Sequence, residues 1–198
     1  MSVRIALALS ILLGMTGLAN AQSQEKASAI LAGGCFWCME PPYDKTDGVL
    51  ATISGYSGGE TQNPTYEQVS SAQTGHYEVV KIEYDPSKVS YEKLLEIFWP
   101  NIDPFDAKGQ FCDKGPQYRA AIFYGNEEEK RIAEASKKQV AEKLGKPVET
   151  EILPAAEFYP AEDYHQDYYT KNPVRYTLYR YGCGRDARLE AVWGKPSG

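Results

Sequence analysis

Apolar and polar positions change period several times along the chain, and each change marks an element. Residues 27–34 (ASAILAGG) are a short apolar run ending in two glycines, the pattern of a buried strand entering a turn. The following FWCMEPPYD can open a helix, which Pro41 and Pro42 perturb after about a turn. VLATISGY (49–56) reads as a strand closed by SGGETQNP, after which Asn63 and Pro64 serve as cap and first-position proline of a short helix over TYEQVSSA. HYEVVKIEY (76–84) is the clearest strand. Ser90 caps a helix in which Tyr91, Leu94, Leu95 and Phe98 recur at helical spacing, and Pro100 stops it. A turn-rich segment over 101–117 leads into a strand, YRAAIFY (118–124).

Asn126 begins a long charged helix with acids first and lysines later, the order that suits the helix dipole. Ile132, Val140 and Leu144 give it a thin apolar stripe, and Gly145 ends it. VETEIL (148–153) reads as the last strand, and the aromatic C-terminal stretch reads as mostly irregular. Strands interleave with helices without repeat or linker. The expected fold is therefore a single α+β domain over 22–198, a mixed sheet covered by helices; a ferredoxin-like core with additions fits.

The first residues change the picture of where the protein works. MSVR is a short positive start, IALALSILLGMTGL an apolar run, and Ala19-Asn20-Ala21 a small-residue cleavage site. This predicts a signal peptide over 1–21 and an exported protein, with the bacterial periplasm as its compartment. The alternative is an uncleaved anchor, although the run is short for a membrane span. Outside the cytosol disulfides persist, so the four cysteines, Cys35, Cys38, Cys112 and Cys183, can act as staples, with three full pairings open. Formal net charge is −6 and no basic stripe occurs, which argues against a nucleic-acid partner.

Candidate chemistry gathers around GCFWC. Cys35 follows a strand and a Gly-Gly turn at the start of a helix, where free N–H groups and the helix dipole would stabilise a thiolate. Cys38 lies one helical turn on, within disulfide reach. The pair fits a redox couple or half a zinc site, but no second Cys-x-x-Cys occurs and the two histidines, His76 and His165, are far apart in sequence. In strand 76–84, alternation puts Glu78 on one face with Val80, Ile82 and Tyr84. A carboxyl buried there would hold its proton and serve as an acid; the alternative is that it reaches water or pairs with a lysine. Asp113 and Tyr118 lie in CDKGPQYR, a turn leading into strand 118–124, and Tyr66 lies in NPTY, on the first turn of its helix.

GCFWC followed by GYSGG, NPTYEQV, TGHYEVV, YDPSKVSYEKLLEIFW, DKGPQYRAAIFY, FYPAEDYHQDYY and RDARLEAVWG resembles a peptide-methionine sulfoxide reductase of type A, over about residues 28–194. The resemblance implies an α/β roll built on a split βαβ unit. It makes Cys35 the nucleophile and Phe36 and Trp37 the wall that receives the substrate methyl. Glu78 becomes the acid for the sulfoxide oxygen, Tyr66 and Tyr118 the hydroxyls that hold it, and Asp113 part of the polar side. It implies S-epimer selectivity, a sulfenic acid on Cys35, a disulfide formed with a second thiol, an external thioredoxin-like dithiol, and no metal or organic cofactor. Free and protein-bound methionine sulfoxide both qualify as substrate, and a monomer is the default state.

Many members carry glycine where this chain has Cys38, and keep recycling cysteines in a C-terminal tail that here holds only Cys183. Proximity favours Cys38 as resolver, with Cys112 and Cys183 as rivals; a Cys112–Cys183 staple also fits an exported protein. Two other functions fit less of the chain: a thioredoxin-like disulfide oxidoreductase, and an exported binding module with two structural disulfides.

Overall fold

The structure, a computed structural model, describes residues 26–195. The leader expected over 1–21 lies outside the described residues. No described helix is long and apolar enough to cross a membrane.

Eight strands are present among the described residues: β1 (Ala27–Gly33), β2 (Val49–Ser57), β3 (Tyr77–Tyr84), β4 (Gly109–Gln110), β5 (Asp113–Lys114), β6 (Ala120–Tyr124), β7 (Glu151–Pro154) and β8 (Phe158–Pro160). Six form one sheet in the order β7-β6-β1-β3-β2-β8, while β4 and β5 make a small separate hairpin. Only β6 and β7 pair in parallel, so the sheet is mixed. The inner four, with α1 (Glu40–Asp44) and α3 (Tyr91–Phe98) between them, follow the β-α-β-β-α-β order of a ferredoxin-like core. β7 and β8 extend its two edges, so VETEIL is not the last strand.

The hydrophobic pattern explains the layering. Val80, Ile82 and Tyr84 of β3 point into the main core with Leu31, Ile122 and the Tyr91, Leu94, Leu95 and Phe98 face of α3. Tyr77 and Val79 point the other way, to a smaller cluster with Ala121 and Phe123. The Ser90 side chain accepts the Lys93 N–H, as a helix cap should. Asn126 caps α4 (Glu127–Leu144) in the same way, and Gly145 closes it in the left-handed region. In α4 the fully buried side chains are Ala133 and Val140, with Ile132 and Leu144 packed at the edge.

Three local expectations change. After Cys35 comes a single 3₁₀ turn, Phe36–Cys38, and then α1, whose first turn takes Pro41 and Pro42 where no N–H is needed. The cap of α2 (Tyr66–Ser70) is Thr65, not Asn63, because Thr65 and Gln68 form a reciprocal capping box; Asn63 sits at φ +46° in the turn before it. The largest change is at the C-terminus, expected to be irregular. It holds α5 (Tyr168–Lys171), α6 (Pro173–Gly182) and α7 (Arg185–Trp193). Of their side chains only Arg185 is fully buried, so no apolar stripe announces them.

This C-terminal arm is held to the core by polar links. The Arg185 guanidinium donates to Asn101 O at 2.6 Å and Gly33 O at 3.3 Å, and lies over the Phe111 ring. A disulfide joins Cys112, beside the β4–β5 hairpin, to Cys183 at the α6–α7 corner.

Candidate active site

The site begins where β1 ends. Gly34 turns the chain at φ +80°, and a Cβ there would meet the Gln110 side chain at 2.6 Å. Cys35 follows, and the turn Cys38 N–H to Cys35 O at 3.1 Å brings the two thiols together. Both are buried and neither is disulfide-bonded.

Their proton is unequally shared. Burial first, and then the hydrogen bond it gives Cys38, pushes Cys35 well above the ordinary thiol range. Cys38 is lowered to about 6 by that same bond, against its burial, with Arg185, Arg180 and the Tyr176 hydroxyl adding to the shift. The two thiols share one hydrogen bond, and the arginines of the arm favour a charge on the Cys38 side of it. The helix expected to open at Cys35 and bring its dipole to bear on the thiol does not form there. The turn after Cys35 is too short to build a dipole, and the Phe36 N–H is directed at Glu78.

Glu78 stands on β3 as alternation predicted, on the face of Val80 and Ile82, and is 2% exposed. Its Oε2 accepts the Phe36 N–H at 3.2 Å. Burial, with Asp113 and Cys38 nearby, raises it to about 8 against that bond. It is therefore a carboxylic acid at neutral pH, neither solvated nor lysine-paired among the described residues.

Tyr66 opens α2. Its backbone N–H is held by Glu162 Oε1 at 2.8 Å, while Glu162 Oε2 accepts the Tyr56 hydroxyl at 2.9 Å. The side chains of Tyr66 and Tyr118 line the same cavity. Burial first and Glu78 second raise both, so both keep their protons. Phe36 packs on His165 and Tyr56. Trp37 stacks on Tyr168 at 3.7 Å and donates its indole N–H to His165 Nδ1 at 3.1 Å.

Asp113, at the start of β5, is half-buried. Burial raises it, tempered by the Tyr179 hydroxyl, Arg185 and Lys114. Its Oδ2 accepts the Tyr179 hydroxyl and lies 3.9 Å from Cys183 Sγ. Among the described residues, Cys112, Asp113 and Cys183 are the one cluster with converging ligand atoms, and its two sulfurs are joined to each other.

One small cavity of about 60 Å³ is lined by Cys35, Phe36, Trp37, Tyr66, Glu78, Asp113, Tyr118 and Tyr179. It brings together every site residue singled out from sequence except the three candidate resolvers, Cys38, Cys112 and Cys183, and adds Tyr179. Cys38 sits behind Cys35, against the arginines of the arm. Cys112 and Cys183 are bonded to each other, so the free thiol beside Cys35 is Cys38. Sequence reasoning missed Tyr179 and His165. The tyrosine-rich RYTLYRY stretch was the available signal for the first, and a histidine among aromatics in AEDYHQ for the second. A thiol, a neutral acid, two phenols and an aromatic wall facing one space can bind a small polar head group and attack it.

Comparison with known proteins agrees. The family profile described as peptide methionine sulfoxide reductase matches residues 27–197. A peptide methionine sulfoxide reductase MsrA of Bacillus licheniformis is 52% identical over 175 residues, 87% of this chain and 97% of the relative. The methionine sulfoxide reductase A structure of Corynebacterium diphtheriae superposes with a TM-score of 0.72 at 34% identity, covering 78% of each chain. Saccharomyces cerevisiae Mxr1 in complex with Trx2 shares the fold at 24% identity and a TM-score of 0.53, over 72% of this chain and 84% of that one. The chain belongs to the peptide methionine sulfoxide reductase family, and is an oxidoreductase that reduces methionine sulfoxide at the expense of thiols.

Proposed function

We propose that the cavity reduces the S epimer of methionine sulfoxide, free or in oxidised proteins, with Cys35 as nucleophile and Cys38 as resolver. The observation that carries this reading is the buried Glu78 carboxyl lining the same cavity as Cys35. A sulfoxide sulfur is a weak electrophile until its oxygen is protonated or strongly hydrogen-bonded. Glu78 supplies that proton, Tyr66 and Tyr118 hold the oxygen, and Phe36 and Trp37 receive the methyl. The cavity has about the space of two waters in the liquid, so it takes the sulfinyl head and leaves the rest of the substrate outside. That suits methionine sulfoxide within a protein chain.

The resting charge on Cys38 gives the thiol a base. As the Cys35 sulfur attacks, its proton passes to Cys38. Methionine leaves with a two-electron gain, the oxygen stays on Cys35 as a sulfenic acid carrying the Glu78 proton, and the proton taken up by Cys38 passes on to Glu78, which restores the Cys38 thiolate. The Cys38 thiolate then attacks the Cys35 sulfur and expels hydroxide, which leaves protonated as water. The resulting disulfide is reduced by an external dithiol through exchange. A thioredoxin-type protein is the proposed donor, supported by the Trx2 complex of the yeast relative. No metal or organic cofactor has a step in this cycle.

Export through the 1–21 leader is part of the proposal, and recovery of a periplasmic chain beginning at Gln22 tests it. A single-turnover assay on reduced protein, with each epimer offered separately, tests the chemistry. Wild type and Cys38→Ser should each release one methionine from the S epimer only, and Cys35→Ser none. Failure of Cys38→Ser to form a disulfide afterwards assigns Cys38 as resolver; a disulfide in that variant removes the role from it.

A further inference from the structure

Arg185 is a buried cation with no carboxylate paired to it among the described residues. It opens α7 and is 2% exposed. Its Nη2 group donates to Asn101 O at 2.6 Å and Gly33 O at 3.3 Å, and lies 3.3 Å from Met39 Sδ. The guanidinium carbon stands 4.3 Å from the centre of the Phe111 ring, and Nε is buried without a hydrogen-bond partner. Every one of these contacts is neutral. Its neighbours differ: Arg180 pairs with Asp186 and Arg188 with Asp103. A guanidinium cannot shed its proton, and a charge buried among neutral groups is costly.

The neutral contacts put that charge beneath the thiol turn. Gly33 lies two residues before Cys35 and Met39 directly follows Cys38, so one nitrogen clasps both ends of the turn. The two ends are packed on each other: a Cβ on Gly33 would collide with Met39 Sδ. Cys35 faces the cavity, and Cys38 lies behind it, on the side of the arginines. The other charged and titratable groups facing Cys38 are Cys35 in its own turn, Glu78 from β3, and Tyr176 and Arg180 from α6. Arg180 is held by Asp186, and Asp113, which also feels Arg185, is bonded to Tyr179. That leaves Cys38 as the group whose ionisation answers the Arg185 charge.

We propose that Arg185 is a positioning residue for the resolving thiol: it clasps the turn that carries the cysteine pair and supplies the cation against which Cys38 becomes a thiolate. The lowering of Cys38 fits this geometry. After the bond from Cys35, and against burial, Arg185 is the first of the charges that cause it. The consequence falls on reduction of the Cys35–Cys38 disulfide. A donor thiolate bonds to Cys35, the sulfur that faces the cavity; the bond to Cys38 breaks, and Cys38 leaves with its electron pair as a thiolate beside Arg185. The donor's second thiolate then displaces Cys35. Two electrons pass to the pair, one of the donor's two protons ends on Cys35, and the other is released. A stabilised leaving thiolate makes the exchange faster and the disulfide easier to reduce.

The inference rests on Cys38 as resolver. A disulfide formed in Cys38→Ser sinks that reading, whereas the readouts for Arg185 come from the thiol pair itself, without sulfoxide. Two quantities would be measured for wild type, Arg185→Met and Arg185→Lys: the pH profile of Cys38 alkylation in reduced protein, located by tandem mass spectrometry, and the equilibrium of the Cys35–Cys38 pair with reduced and oxidised glutathione at about pH 8. Arg185→Met should move the Cys38 profile upward by about one pH unit and make the disulfide about tenfold harder to reduce, which is about 30 mV. Arg185→Lys keeps the charge and should restore most of both. A profile and an equilibrium unchanged in Arg185→Met overturn the proposal. Equal losses in the Met and Lys variants overturn it too, because Arg185 would then only prop the turn. Melting temperatures carry the test if Arg185→Met is unstable. Arg185→Met should cost less stability in a Cys38→Ser background, where no thiolate answers the cation, than in wild type; an equal cost in both overturns the pairing.

Discussion

In the proposed cycle a single side chain, Glu78, sets the working pH. Its acid form is the useful one and is lost as pH rises through about 8, while the Cys38 thiolate is lost as pH falls through about 6. Single-turnover rates should therefore form a bell between those limbs. Cys38→Ser should abolish the acid limb and keep the alkaline one, and Glu78→Gln should lose the alkaline limb together with about a hundredfold or more in rate. A Glu78→Gln rate within a few-fold of wild type would remove the acid from the mechanism. Glu78 was legible because strand alternation is a local rule, and one charge on an apolar face stands out. The charge order within the cysteine pair was not legible. It depends on Arg180 and Arg185, which reach Cys38 from more than a hundred residues away in sequence. Tyr179 was hidden among 15 tyrosines, most of them ordinary.

At the scale of elements, the site is assembled from short pieces that would not be stable alone. α2 has five residues, too few to persist in water, and is fixed by the Thr65–Gln68 box and by Glu162 beneath the Tyr66 N–H. Against its burial, the bonds from Tyr66 N–H and the Tyr56 hydroxyl hold Glu162 below the usual carboxylate range. Glu162→Ala should thus lower the turnover rate by letting Tyr66 drift, and Tyr66→Phe in that background should add little further; additive losses would mean that Glu162 does not act through Tyr66. Long elements with their own caps, α3 and α4, were readable from Ser90, Asn126 and Gly145. The α5–α7 arm was not, because its contacts are aromatic and polar bonds to the site rather than a periodic apolar stripe. Asn172-Pro173 and Gly184 mark its joints, but as isolated turn residues they do not distinguish a helical arm from a coil.

Across the whole molecule, a ferredoxin-like sheet supplies Cys35 and Glu78, and the arm folds back over the end of that sheet to complete the cavity. The core followed from local periodicity. The closure depends on links that span the chain: Trp37 to His165, Gly33 to Arg185, Cys112 to Cys183. Glu40 belongs to the same set. Its Oε1 accepts from Ser54 Oγ at 2.8 Å and faces the Asp167 N–H at the start of α5, while Oε2 is buried without a hydrogen-bond partner. Burial raises it to about 7, against the bonds from Ser54 and Asp167. A carboxyl whose folded pKa exceeds its unfolded value binds more protons when folded, so its contribution to stability is present below about 4.5 and is lost as pH rises through about 7. Glu40→Gln carries the neutral form at every pH. Its melting temperature should match wild type at pH 5 and exceed it at pH 8, by an amount corresponding to about 2 kcal/mol. Equal melting temperatures at both pH values would mean that water reaches Glu40, and that the junction between core and arm opens enough to hydrate its charge.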